Sequence, residues 1–389
     1  MIRAPAAVLD ESRYRTLHAG ALLSLFVVGM YAGSFGPALP FFAKDLGVSL
    51  DTAGLMLTAM FAGSISASAV IAVVLHGRDT RALAIGGAAC TVSGLLLLGL
   101  APTWPLALIA ACLLGTGDGL IVASLHILMS VTSRDVRGAI SRLNLYFAWG
   151  AIAGPLWAGA LLETTARRDV VYAGVAGVSL CALTLMSLSP APDRPPPADE
   201  PLFRLPSDAT TLTMGVVLFM YVGAEFGLGS WVSSYARQSA NAGVFVAAVL
   251  SAGFWLALAI GRLATGAWFA RGREAVPLLA AGIAGAGIAS LALALVSGNL
   301  AASAVAAFCA GLCLGPIWPT VVAIVSERGE AHATAATVTV GNAGGLAIPW
   351  LQGRVLVGAG PAQGVAVTAA LCALMLGVVG AFRFAVRDG

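Results

Sequence analysis

The segment 150-GAIAGPLWAG-159 returns 194 residues later as 344-GGLAIPWLQG-353, with Pro155 aligned on Pro349. The same shift aligns glycine pairs in another part of each copy: Gly29 with Gly223, and Gly33 with Gly227. One offset that relates two separate parts of the chain indicates an internal duplication. The chain is therefore predicted to consist of two homologous halves in parallel orientation.

Both copies lie in a chain with very few charges. Of its 389 residues, 59% are hydrophobic and 10% are charged, whereas an ordinary soluble domain has about 25% charged residues. Twelve membrane spans of about 20 residues each need about 240 residues, which is close to the apolar share of this chain. The composition predicts an all-α, polytopic membrane protein and leaves no room for a soluble catalytic domain.

Apolar stretches separated by charged residues, proline or glycine predict twelve transmembrane helices. They cover residues 17–42, 51–75, 82–101, 104–131, 138–162, 169–189, 209–236, 243–269, 275–297, 299–325, 332–357 and 362–385. The proline-rich segment 190-PAPDRPPPADEPLFRLPSD-208 separates the sixth helix from the seventh. We therefore expect two pseudo-symmetric six-helix halves, over 1–189 and 209–389, joined by a cytoplasmic linker over 190–208.

The 21 basic residues predict the orientation and the partners. When the loops are assigned alternately to the two sides, most of these residues lie on the side of the N-terminus, which predicts cytoplasmic termini in a plasma (inner) membrane. They are scattered singly, and this argues against nucleic-acid binding. The expected partners are a small-molecule substrate and the lipid bilayer, and we expect a monomer.

Two parallel halves of six spans are the pattern of the major facilitator superfamily of secondary transporters, and the sequence resembles that superfamily over essentially its full length. Degenerate copies of the family's basic loop motif follow the second and eighth spans, as 77-GRDTR-81 and 261-GRLATGAWFARGR-273. The resemblance implies a gating role for four arginines: Arg78, Arg81, Arg262 and Arg271.

Within the superfamily the chain most resembles the fucose–galactose–glucose:proton symporter group. The residues that carry this resemblance are Tyr221, Gly223, Glu225, Trp231 and Tyr235, the ladder Gly115, Gly117 and Gly119, 143-LNLYFAWGAIAGP-155 and 315-GPIWPT-320. In the fourth span, where that group tends to carry a carboxylate and an asparagine further along, this chain has apolar residues and His126. The resemblance implies symport of a sugar-like solute with protons.

Two carboxylates lie well inside predicted spans, Asp118 in the fourth and Glu225 in the seventh. A charge near the bilayer centre costs a few kcal/mol or more, so each must face a partner or a water-filled cavity. One or both could bind a coupling cation, most simply a proton and otherwise sodium. Alternatively they form a structural ion pair or a hydrogen-bonded polar kink. His126 could relay protons, or be a neutral histidine hydrogen-bonded to a neighbouring helix.

Arg142 near the start of the fifth span has three possible roles. It could clamp an anionic group of the substrate, neutralise Asp118, or reach cytoplasmic water by snorkelling. Tyr146 and Trp149 share its helix face and could stack on a sugar ring, although aromatic residues in spans more often face lipid or the core. Asn144, Asn342 and Gln352 could supply hydrogen bonds. The predicted substrate-binding set is Arg142, Asn144, Tyr146, Trp149, Tyr221, Trp231, Tyr235 and Asn342.

These features favour a proton-coupled secondary transporter that works by alternating access. The sequence contains no nucleotide-binding P-loop motif, which argues against an ATP-driven pump, and no nucleophile–base pattern typical of an enzyme. We expect no cofactor and no metal site, because the cysteine pair Cys309 and Cys313 has no further ligand near it. Efflux of hydrophobic drugs or lipids, and a non-transporting assembly factor of the same fold, remain as alternatives.

Overall fold

The computed structural model describes residues 11–74, 79–192, 208–327 and 331–387, and these residues are helical with no strand among them. A short 3-10 helix, Glu11–Tyr14, precedes twelve helical spans, numbered here in chain order. Their bounds are Arg15–Asp45, Leu50–Ala53 with Leu55–Val74, Thr80–Leu100, Trp104–Thr132, Val136–Thr165, Arg168–Leu188, Ala209–Ala240, Val244–Phe269, Ala275–Leu295, Leu300–Leu314 with Ile317–Ser326, Ala331–Gly358 and Pro361–Arg387.

The predicted all-α membrane fold is confirmed. Eleven helices of the described residues are long and apolar enough to cross a membrane, and span 11 (Ala331–Gly358) is of similar length. Span 10, predicted as continuous, is interrupted at Gly315 and Pro316, because proline has no backbone N–H to donate to the preceding helical turn. Residues 193–207, most of the predicted linker, lie outside the described ranges.

The duplication is visible in how the spans pack. A side chain at Gly150 of span 5 would collide with the carbonyl oxygen of Phe26 in span 1, and one at Gly344 of span 11 would collide with that of Phe219 in span 7. The corresponding contacts of spans 2 and 4, and of spans 8 and 10, are Gly115 on Met60 and Gly315 on Leu258. Small residues therefore bring equivalent helix backbones together in both halves.

Within the described ranges, the polar contacts between the two halves, spans 1–6 and spans 7–12, gather towards one side of the membrane. We call the side where span 1 begins the near side and the other the far side. Towards the far side, Arg354 of span 11 forms an ion pair with Asp51 of span 2, with Nη1 3.2 Å from Oδ2. The hydroxyl of Thr58 donates to the carbonyl of Leu346 at 2.6 Å. These contacts tie span 2 to span 11.

Further contacts between the halves, among the described residues, also lie towards the far side. A side chain at Gly159, late in span 5, would collide with Ala248, early in span 8. Glu163 accepts a hydrogen bond from the backbone of Phe245, and Gly36 of span 1 approaches the backbone of Ser230 in span 7. The molecule is therefore in a state that is closed on the far side.

Three aromatic rings from both halves lie in contact next to this closed region. Phe61 of span 2 meets Phe226 of span 7 edge-on, with ring centroids 4.8 Å apart, and Phe226 meets Trp255 of span 8 at 5.9 Å. We call these three residues the aromatic layer. It separates the far-side contacts from the polar groups described next.

Candidate functional site

Asp118 of span 4 is held by hydroxyl groups from two other spans. The hydroxyl of Tyr31 in span 1 donates to Oδ1 at 3.1 Å, and that of Ser64 in span 2 donates to Oδ2 at 2.7 Å. Tyr31 is buried, whereas Asp118 and Ser64 are partly buried. We call these three residues the Asp118 cluster. It joins the first, second and fourth spans of the N-terminal half.

The glycines on either side of Asp118 explain its position. A side chain at Gly119 would collide with the carbonyl of Ser64, and one at Gly117 would lie 2.8 Å from the carbonyl of Gly87 in span 3. Span 4 is therefore packed closely between spans 2 and 3. This close approach brings Ser64 within hydrogen-bonding distance of the carboxylate.

Both hydrogen bonds to Asp118 come from neutral groups. None of the ion pairs in the described ranges includes Asp118. A carboxylate in an apolar environment without a cationic partner is strongly disfavoured, and taking up a proton or binding a cation removes that cost. The Asp118 cluster therefore has the chemistry of a cation-binding site.

Glu225 of span 7 is in a different situation, because it has a cationic partner. Oε1 of Glu225 lies 2.7 Å from Nη2 of Arg262 in span 8, and the same nitrogen donates to the hydroxyl of Tyr221 at 3.3 Å. The side chain of Glu225 is 3% exposed and that of Arg262 is 30% exposed. This arrangement corresponds to the structural ion pair that the sequence left as the alternative for Glu225.

The two polar groups occupy related places. The Asp118 cluster uses the first, second and fourth spans of its half. In the C-terminal half, Tyr221, Glu225 and Arg262 come from the first and second spans, and Trp318 of the fourth packs against Tyr221 with centroids 6.3 Å apart. Both groups lie on the near side of the aromatic layer. The midplane thus carries one carboxyl group without a cation and one with a cation.

Trp231 and Tyr235, both predicted to contact substrate, are fully buried on the far side of the layer. The indole nitrogen of Trp231 donates to the carbonyl of Pro349 at 2.7 Å. The hydroxyl of Tyr235 donates to the carbonyl of Leu293 in span 9 at 2.6 Å. Tyr235 packs within the C-terminal half, and the structure does not bring it to the polar groups.

Span 5 carries three further predicted substrate residues, Arg142, Tyr146 and Trp149. Tyr146 and Trp157 are eleven residues apart, which at 100° per residue puts them on one helix face. Trp157 lines an apolar cavity of about 430 Å³ on the outer surface of spans 3, 5 and 6. Arg142 and Trp149 lie within about 80° of that face.

The face of span 5 that contacts span 8, marked by Gly159, lies about 140° from Tyr146. The side chains of Tyr146 and Trp149 are accordingly 39% and 55% exposed. Tyr146 thus lies on the outer face of span 5, whereas Arg142 and Trp149 lie between that face and the face marked by Gly159, and their role in substrate binding stays a prediction. For Arg142, a few residues into the span, this position favours the snorkelling alternative.

The remaining predicted polar residues contact their own helices or lie near span 7. Nδ1 of His126 is 2.7 Å from the carbonyl of Val122, and Asn144 donates to the carbonyl of Ile140 at 3.1 Å. Asn342 is partly buried on span 11, close to Gly341, which packs on Leu218 of span 7. His126 thus forms its hydrogen bond within its own helix.

The predicted gating arginines do not act as one group. Arg262 lies inside span 8 in the ion pair with Glu225 and not in the loop. Arg81 donates to the carbonyls of Met186 and Ser187 at the end of span 6, and Arg271 donates to that of Ala267 in its own helix. Arg78 lies outside the described residues. Arg81 and Arg271 therefore make these contacts within their own halves.

Sequence reasoning missed Tyr31 and Ser64 as site residues. Tyr31 stands out as a tyrosine in the middle of an apolar span, and this could have marked it. Ser64 lies among other small residues in 63-GSISAS-68, and nothing in the pattern distinguishes it from a packing residue.

A family model described as the Major Facilitator Superfamily matches residues 21–349. The chain belongs to this superfamily. It is therefore a multi-pass membrane protein of a family of transporters and not of enzymes, and the resemblance to that superfamily is confirmed. The fold places the Asp118 cluster and the Glu225–Arg262 pair in the interior of such a transporter.

Solved structures share the fold over almost the whole chain. One is a POT family transporter in complex with 5-aminolevulinic acid, with a TM-score of 0.78, 11% identity, and 95% of this chain and 96% of that chain covered. Another is a fucose:proton symporter of E. coli, with a TM-score of 0.64, 18% identity, and 94% and 98% covered. At these identities the likeness concerns the fold.

A curated relative matches part of the sequence. It is the Bypass of stop codon protein 6 of Saccharomyces cerevisiae (strain ATCC 204508 / S288c), which is 29% identical over 168 residues. The match covers 40% of this chain and 34% of the yeast protein, so it spans about a third of that relative's length.

Proposed function

We propose that this chain couples the transport of a small polar organic solute, sugar-like in chemistry, to the movement of protons. The observation that carries the coupling is Asp118, which receives hydrogen bonds from Tyr31 and Ser64 and no cation among the described residues. Burial disfavours the charged form of a carboxyl group, and the hydrogen bonds from Tyr31 and Ser64 offset that effect only in part. Asp118 is therefore the proposed proton-binding residue.

Glu225 receives a different role in this proposal. Its ion pair with Arg262 and the contact of Arg262 with Tyr221 hold the carboxylate in a fixed position. Nε of Arg262 is buried and has no hydrogen-bond partner within the described ranges, while part of the side chain is exposed. This arginine can offer remaining donors to solute hydroxyl groups, with Tyr221 and Trp318 forming an aromatic wall beside it.

The sugar-like class rests on the resemblance to sugar:proton symporters and on these groups. The solved fucose:proton symporter has the same fold. The Glu225–Arg262 pair has no net charge, so the C-terminal half offers hydrogen bonds and an aromatic surface more than an isolated charge. Such a site favours a neutral polyhydroxy solute over an organic anion.

The test is uptake into proteoliposomes of radiolabelled L-fucose, D-galactose and D-glucose. A gradient with the more acidic medium outside should accelerate uptake by the wild type and drive accumulation. In Asp118→Asn, the amide keeps the shape of a protonated carboxyl group but does not take up or release a proton. We expect it to lose gradient-driven accumulation while it retains sugar exchange at equal pH.

Two controls make the result specific. Glu225→Gln leaves Arg262 without its anion, and we expect accumulation and exchange to fall together. Asp79→Asn replaces a carboxylate at the helix start of span 3, and both activities should stay near the wild-type level. Gradient-driven accumulation in Asp118→Asn at the wild-type level would remove Asp118 from the coupling role.

A further inference from the structure

Gln352 of span 11 is a buried carboxamide that the proposed mechanism does not use. Its side chain is 0% exposed, and neither Oε1 nor Nε2 has a hydrogen-bond partner in the described part of the structure. A buried amide without partners costs free energy that a paired amide does not. A side chain whose donor and acceptor are both unpaired in this conformational state is expected to form hydrogen bonds in another state.

The position of Gln352 is next to the aromatic layer. A side chain at Gly227 of span 7 would collide with Oε1 of Gln352, so the carboxamide lies against the bare backbone of that glycine. Gly227 directly follows Phe226, the central ring of the layer. Gln352 therefore lies immediately behind the layer as seen from the Glu225–Arg262 pair.

Trp231 covers this position and also contacts the other half. It lies one helix turn after Gly227, and its indole nitrogen donates to the carbonyl of Pro349, one turn before Gln352. A side chain at Gly54, between the two helices of span 2, would lie 2.9 Å from Cζ2 of Trp231. The indole is thus held between span 11 and the N-terminal half, and separation of the halves on the far side would free one of its faces.

Other polar atoms in the same region are also unpaired. The hydroxyl of Ser230 and the indole nitrogen of Trp255 are buried and have no hydrogen-bond partner among the residues that the structure describes. Ser230 lies where span 7 meets Gly36 of span 1, and Trp255 is the third ring of the aromatic layer. Unpaired donors and acceptors are therefore gathered at the surface along which the halves close.

We propose that Gln352 is a solute-binding and specificity-determining residue of the state that is open on the far side. There its carboxamide forms hydrogen bonds with hydroxyl groups of the solute. A carboxamide donates and accepts, and so does a sugar hydroxyl, so the pairing satisfies both partners. This inference rests on the proposed transport function and assigns the far-side part of its binding site.

The first test separates the two sides of the membrane. Gln352→Met keeps the length of the side chain and removes its polar atoms. With labelled L-fucose, D-galactose and D-glucose, we expect the KM measured from the far side to rise about tenfold. The KM measured from the near side should stay within twofold of the wild type. Gln363→Met, at an exposed glutamine near the far-side start of span 12, should change neither value.

A purely structural role predicts another result. Replacing an unpaired buried amide by methionine should then raise the thermal stability and leave the KM unchanged from both sides. That outcome would overturn the inference. If the wild type transports none of the three hexoses, the sugar assignment of the proposed function fails instead. The second test then still applies, because it measures the access of a reagent to position 352 without any solute.

The second test measures access by labelling with a membrane-impermeant maleimide from the far side. Gln352→Cys is placed in a background that lacks the six native cysteines. Adding Arg354→Ala removes the ion pair with Asp51 and favours opening. We expect at least a threefold rise in the labelling rate at position 352 with Arg354→Ala. Gln363→Cys is the exposed control and should react equally in both backgrounds. Failure of Gln352→Cys to react in either background would overturn the inference.

Discussion

The Glu225–Arg262 pair makes the interior of the C-terminal half sensitive to single substitutions. With Oε1 and Nη2 2.7 Å apart and Glu225 almost fully buried, removing one partner leaves a charge without compensation. Such changes cost about 3–5 kcal/mol. We expect Glu225→Gln and Arg262→Gln each to lower the free energy of unfolding in detergent by about this amount, measured by denaturant titration.

The double variant Glu225→Gln with Arg262→Gln provides the control for that prediction. It leaves no unpaired charge, so it should be more stable than either single variant. If the losses in the free energy of unfolding of the two single variants add up in the double variant, the two side chains do not interact.

At the level of single residues, hydropathy alone was enough to single out two positions in the sequence. Asp118 and Glu225 stand out because a carboxylate inside an apolar span is rare. The partner of Glu225 could not be found in this way, because Arg262 is 37 residues away and its neighbours resemble a loop motif. Pairing of this kind depends on how two helices are rotated against each other, and composition carries no information on that rotation.

At the level of the helices, glycine determines which spans can touch. A side chain at Gly150 would collide with the carbonyl of Phe26, and backbone atoms cannot move aside cheaply. We expect Gly150→Val to lower the free energy of unfolding by about 1–3 kcal/mol. Gly177 of span 6 has no atom within 4 Å of an added Cβ. Gly177→Val should therefore stay within about 0.5 kcal/mol of the wild type in the same unfolding assay, and equal losses would contradict this explanation.

Helix positions were predictable, but the side that each helix turns to the interior was not. Span 4 was predicted over 104–131 and is observed as Trp104–Thr132, because apolar length fixes the limits of a span. On span 5, Tyr146 was predicted to contact substrate, yet it lies on the outer face of the helix. Lipid and a protein core are both apolar, so an aromatic stripe fits either one.

On the scale of the whole molecule, the contacts between the halves are concentrated on the far side. They combine an ion pair, a hydrogen bond between spans 2 and 11, and close backbone contacts between spans 5 and 8. The Asp118 cluster and the Glu225–Arg262 pair both lie on the near side of the aromatic layer. Reaching Asp118 from the far side therefore requires the halves to separate there.

A covalent link across the closed side tests this requirement. A side chain at Gly159 would meet Ala248 directly, so cysteines introduced by Gly159→Cys and Ala248→Cys should form a disulfide on oxidation. We use a background in which Cys372 is the remaining native cysteine. In proteoliposomes, oxidation should abolish uptake of a transported solute, and a reducing agent should restore it.

The matched control is a link within one half. A side chain at Gly287 of span 9 would lie 3.1 Å from Cβ of Cys372 in span 12, so Gly287→Cys can be oxidised to a disulfide with the native cysteine. Spans 9 and 12 belong to the same half and should move together, so this link should leave at least half of the wild-type uptake. If the cross-half disulfide forms completely and uptake continues at the wild-type rate, the solute does not require separation of the halves at Gly159 and Ala248.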